Sequence, residues 1–127
     1  MNLHAPQPRG RADDASLLSK AFLRAGERAG LTQKELALVL GKSEPTISRL
    51  ANRTFFIEPA TKEGEIALVF LRAYRALDAL FGGREDHVRQ WIHAPNKALG
   101  GIPRDLIKSL QGLFFVVTYL DALRGKI

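Results

Sequence analysis

Apolar positions along the chain recur mostly at intervals of three and four, which is the spacing of one helix face. Leu17, Leu18, Ala21, Phe22 and Ala25 share such a face, predicting a helix over about 16–29 that Gly30 ends. Leu36, Ala37 and Leu40 form the next apolar face, and Ile47, Leu50 and Ala51 the one after. A longer stripe follows in Ile66, Val69, Phe70, Ala73, Leu77, Leu80 and Phe81, predicting a helix over about 60–81 that Gly82-Gly83 closes. Glu85-Asp86 then open a short helix through Trp91. Residues 113–123 carry two patterns at once. Phe114 to Tyr119 have strand propensity, but Leu113, Val116, Val117, Leu120 and Leu123 recur at helical spacing, and no other strand is predicted to pair with them. Helix is therefore the expectation there too, and the fold class is all-α.

The residues between these faces sharpen the picture for 31–53. Thr32 and Glu35 have the spacing of a capping box, with Leu31 just before the cap. Gly41 suits the left-handed end of a helix. Ser43 is a good N-cap for the next one, and Glu44-Pro45 fit its first turn. Two short helices joined by a Gly-containing turn make a helix-turn-helix. The second is anchored by Ile47, Leu50 and Ala51 and is expected to turn Thr46, Ser48 and Arg49 outward. Thr54 to Pro59 read as an extended connector.

Residues 91–112 are the most heavily punctuated stretch. Pro95 stops a helix, Gly100-Gly101 turn the chain, and Pro103 opens a new first turn. So many fixed-geometry residues around the single Trp predict a small rigid platform. By contrast, residues 1–14 hold Pro6, Pro8, Gly10 and Asp13-Asp14 among few apolar groups, which predicts a loose arm.

Composition narrows the functional classes. The chain has 127 residues, no cysteine and a formal net charge of +6. Disulfides, thiolate metal sites and cysteine catalysis are excluded. The N-terminus has no apolar signal core and no run approaches a membrane span, so a cytoplasmic protein without membrane contact is expected. The positive charge suits an acidic partner such as DNA. It is spread evenly, however: residues 1–64 hold 10 Lys and Arg against 7 Asp and Glu, and residues 65–127 hold 9 against 6. Nor does enzyme chemistry emerge. His87 and His93 are not on one helix face, no carboxylate cluster accompanies them, and the glycine pairs lack the strand that precedes a phosphate loop. A non-enzyme with no metal and no cofactor of its own is expected.

If the helix-turn-helix enters a major groove, its second helix faces base edges while the first crosses the backbone. Arg49 is then the candidate for a bidentate contact to guanine. Thr46 and Ser48 would meet bases or phosphates, and Gln33 and Arg53 phosphates.

The run from Thr32 to Leu50 resembles the phage-repressor and Cro type of helix-turn-helix, called Xre, although Glu44 and Pro45 stand where that type often carries donors to bases. Trp91, Pro95-Asn96, Ala98-Leu99-Gly100, Pro103, Leu106-Ile107 and Gly112 together resemble the toxin-binding domain of the MbcA/ParS/Xre antitoxins. The resemblance implies three parts: the arm at 1–14, an Xre-like domain at 15–58, and a linking helix with the toxin-binding domain at 59–127. It implies a type II antitoxin that covers the active site of a RES-domain, NAD-consuming toxin, the NAD belonging to the toxin. It also implies a homodimer that represses its own operon. Carried over by position, Trp91, Pro95, Asn96, Leu99, Gly100, Pro103 and Gly112 are architectural, with Asn96 capping the turn. The expected toxin contacts are Lys97, Arg104, Lys108 and the tail, Arg124, Lys126 and Ile127. The alternative is a free-standing Xre-type regulator whose C-terminal half only dimerises. For the Phe70, Tyr74 and Leu77 face of the linking helix, dimer contact and core packing are both open readings.

Overall fold

A computed structural model of the chain describes residues 10–125, and these form seven helices with one isolated β-bridge. The first, α1 (Arg11–Arg28), starts earlier than the loose-arm reading allowed. Gly10 is extended at its N-cap, and Asp13 and Asp14 lie in the first turn, where carboxylates are favoured by the helix dipole. Residues 11–14 are thus helical with Gly10 as their N-cap, and residues 1–9 of the expected arm lie outside the described residues. Leu17, expected on the inner face, is exposed.

The capping logic of the next two helices holds atom by atom. In α2 (Gln33–Leu40), Glu35 N–H donates to the Thr32 hydroxyl, and Thr32 N–H donates to Glu35 Oε1, both at 3.1 Å. Gly41 then takes a φ of 71°, which a residue with a Cβ adopts only at a cost. α3 (Glu44–Ala51) opens on Ser43, whose hydroxyl accepts from Thr46 N–H. The connector after α3 is buried at Ile57, whose N–H donates to the Ser19 hydroxyl of α1 at 2.8 Å. Ser19 in turn donates to the Ala15 carbonyl. A single buried hydroxyl therefore fixes the route of the connector.

α4 (Lys62–Leu80) is the spine of the molecule, packing on α1 and α2 on one side and on α7 on the other. Phe22 and Phe70 meet edge to face at its centre, with ring centroids 5.2 Å apart. Phe70 and Leu77 are buried, and with Tyr74 they line a narrow seam against Trp91, Ile92 and Pro103. Of the two expectations for that face, core packing is the one the fold meets: Phe70 and Leu77 are buried within one chain. The chain then continues as α5 (Glu85–His93), α6 (Pro103–Leu106) and α7 (Leu110–Gly125). The 113–123 segment is helical, as the three- and four-residue spacing predicts.

The two halves share one hydrophobic core, and α5 also closes the open end of α1. Arg89 donates from Nε to the Arg28 carbonyl at 2.8 Å and from a terminal nitrogen to the Glu27 carbonyl at 3.1 Å. His93 donates from Nε2 to the Ala29 carbonyl at 3.1 Å. The last carbonyls of α1, which have no partner within the helix, are satisfied this way.

Candidate functional site

Two surfaces merit description as sites, one in each half. The first is the outward face of α3. Glu44, Pro45, Ser48, Arg49 and Asn52 share a shallow concavity with Gln33 at the start of α2. Ile47 and Leu50 anchor the helix from behind, fully buried or nearly so. Gln33, Ser48, Arg49 and Arg53 are exposed as expected. Thr46 is not. At 100° per residue it falls on the side of Ile47 and Leu50, is buried, and its hydroxyl pairs with Ser43 Oγ at 2.8 Å. Its part is to support the N-cap, and an Arg49 terminal nitrogen donates to the same hydroxyl at 3.4 Å. Ala51, expected inward, is exposed. Asn52 is the residue that the sequence reading passed over; its position four after Ser48 was the available signal. Lys42, in the turn between α2 and α3, is tied down by Glu63 of α4, with Nζ 3.7 Å from Oε2.

The second surface is the platform, which is built largely from the residues singled out for it. Asn96 closes the loop before Pro103: its N–H donates to the Gly101 carbonyl at 2.9 Å, and its Oδ1 accepts from Leu99 N–H at 3.1 Å. Leu99 and Pro103 are buried, while Pro95 and Gly100 are exposed at the rim. Trp91 is half-buried and stacks on Tyr119 of α7, with centroids 6.5 Å apart and ring planes 20° off parallel. Gly112 lies inside α7 and is no turn. A Cβ there would collide with the Leu106 carbonyl oxygen, so glycine lets the start of α7 press against α6. Ser109 caps that start by accepting from Gly112 N–H at 3.0 Å.

The cations assigned to partner contact are placed differently from one another. Lys97 and Arg124 are exposed, and Lys126 and Ile127 lie outside the described residues. Arg104 and Lys108 are half-buried and also engaged within the chain. Their charged ends turn to Glu35 of α2, at 3.6 and 3.4 Å, and to Asp105, at 3.1 and 3.2 Å. Burial alone would raise the Glu35 pKa. The Thr32 N–H bond and the Lys108 ammonium outweigh it and hold the carboxyl below its ordinary value. The same carboxylate thus caps α2 and fastens α6 beneath it.

What the platform leaves bare is apolar. Leu110, Phe114 and Phe115 of α7 are 51%, 50% and 49% exposed. Phe114 lies at a groove with Ile66 and Val69 of α4, and Phe115 beside Leu106 and Thr118. The signal for this face was present: both phenylalanines fall off the apolar stripe of their own helix. Neither surface gathers metal-binding residues, and among the described residues no group of His, Cys, Asp and Glu is placed to hold an ion. No helix among them is long and apolar enough to cross a membrane.

Comparison with known families finds two matches that follow one another along the chain. Residues 8–72 match the family model described as the antitoxin Xre-like helix-turn-helix domain. Residues 76–126 match that of the antitoxin Xre/MbcA/ParS C-terminal toxin-binding domain. Comparison with curated proteins gives no match. With the first model spanning just over half of the chain and the second most of the rest, the chain belongs to the Xre/MbcA/ParS family of antitoxins.

Proposed function

We propose that this antitoxin neutralises a RES-domain, NAD-consuming toxin by covering its active-site cleft, and represses its own operon through α3 as a homodimer. The observation that carries the reading is the bare α7 face. A helix held rigidly by Trp91, Pro103 and Gly112 offers Leu110 and two half-exposed phenylalanines, on a domain whose family binds toxins. Contiguous exposed apolar groups of this kind mark protein-protein contact. Aromatic anchors also supply much of the energy of such contacts. Lys97 and Arg124, exposed in the same domain, join as polar contacts, and Lys126 and Ile127 at the end of the chain belong to the same interface. Arg104 and Lys108, which also hold the platform to α2, border the same interface. NAD belongs to the toxin, and the antitoxin acts as a binding protein with no cofactor and no reaction of its own, in the cytoplasm.

The test is direct. A RES-domain protein encoded beside this gene is purified, and its consumption of NAD is followed as the antitoxin is titrated in. Stoichiometric loss of activity is expected. Unchanged NAD consumption at saturating antitoxin contradicts the proposal.

A further inference from the structure

Beside α3, on the flank away from Gln33, α1 and the end of the helix-turn-helix enclose an open cleft of about 350 Å³. Ala51, Arg53 and Phe56 form one wall, and Lys20 and Arg24 rise from α1 on the other. Glu27 is the one carboxylate in its lining. Lys20, Arg24 and Arg53 are exposed and, among the described residues, have no ion pair or side-chain hydrogen bond, unlike Arg72, Arg89, Arg104 and Lys108. Arg53 is also the sole non-glycine among the described residues with positive φ, at 64°. Glycine or asparagine is the usual occupant of such a position after a helix. An arginine kept there at a conformational cost points to a use for its side chain.

The geometry assigns the cleft as a phosphate clamp: Lys20, Arg24 and Arg53 grip the DNA backbone on the strand opposite the one that Gln33 meets. The inference rests on the proposed DNA binding by α3 and adds a part of α1 that no feature of the helix-turn-helix assigns. Its reason is geometric. A helix lying in the major groove has a phosphate backbone on each side, about 12 Å apart. On one side α3 has Gln33 and the start of α2, with Arg49 toward it. On the other it has Ala51 and then this cleft. Small and uncharged, Ala51 leaves the approach open, and the cleft's unpaired charges lie where that second backbone passes. Contacts of this kind fix position and affinity without reading sequence.

The test measures affinity against salt for two duplexes, one from the region upstream of the gene and one of scrambled sequence. The variants are Lys20→Gln/Arg24→Gln and Arg49→Ala, each checked for an unchanged melting temperature. Lys20 and Arg24 are exposed, so the fold is expected to persist. Removing two phosphate contacts makes the slope of log K against log salt shallower by about 1.8. Both duplexes weaken alike, and the preference for the upstream sequence is kept. Arg49→Ala instead reduces that preference. If Arg49→Ala weakens binding while the double variant leaves affinity and slope unchanged, the clamp is wrong and the DNA reading stands. If the unaltered antitoxin binds neither duplex, the DNA reading and the clamp fall together.

Discussion

In the helix-turn-helix half, the residues set aside for contact by spacing are, with one exception, the exposed ones. In the platform half, two of the cations set aside for contact are engaged in holding the fold together. Arg104 and Lys108 lean on Glu35, whereas Arg49 and Arg53 have no carboxylate partner among the described residues. The difference follows from how each half is built. A recognition helix is short and buries one side, so its 3.6-residue period alone separates inner from outer residues. The platform is made of turns and a four-residue helix, where period gives no such separation and position depends on contacts distant in sequence.

The largest expected break in the comparison is at Gly112. Gly112→Ala drives a methyl group into the Leu106 carbonyl and separates α7 from α6. A loss of about 3 kcal/mol or more in denaturant unfolding is expected. A loss within the range of an ordinary mid-helix substitution would mean that α7 is not held as described. Next comes Ser19→Ala, which leaves the buried Ile57 N–H without an acceptor. It is expected to cost about 2 kcal/mol, and an equally stable variant would remove the connector's anchor from the account.

Smaller effects separate fold from function. Arg53→Gly relieves a left-handed residue and is expected to raise stability by up to about 1 kcal/mol. If stability falls instead, the arginine is retained for packing. Glu35→Gln keeps the α2 cap, since glutamine also serves at that position, but loses the attraction to Arg104 and Lys108. About 0.5 kcal/mol is expected at neutral pH. The pH dependence has a definite sign. The Glu35 carboxyl is held below its ordinary value of 4.5, so its stabilisation is complete above that pH and is lost as pH falls through the lower folded value. Melting temperature followed across that acid range should therefore fall less for Glu35→Gln than for the unaltered chain.

Much of this was legible in the chain itself. Thr32, Glu35, Gly41 and Ser43 announced two capped helices, and the structure forms each bond they implied. The doubled pattern at 113–123 resolved correctly because helical spacing accounted for every buried residue there. Thr46 went wrong because a hydroxyl suggests an outward residue while its angular position and the Ser43 oxygen take it inward. The ion pairs of Arg104 and Lys108 with Glu35 were not legible for a different reason. Their partner lies in α2, about seventy residues earlier, and no local pattern carries that pairing. Gly112 reads as punctuation but serves a close approach of two helices, which helical period alone does not reveal.

The central claim is that the platform's conspicuous residues build α7 and that α7's bare aromatic face meets the toxin. It is tested most directly by titrating a RES-domain toxin's NAD consumption with Phe114→Ala/Phe115→Ala. Both side chains are half exposed, so fold and DNA affinity should persist. The account predicts that inhibition weakens by at least about tenfold, as loss of central aromatic anchors does. Inhibition at the same concentration as the unaltered antitoxin would contradict it.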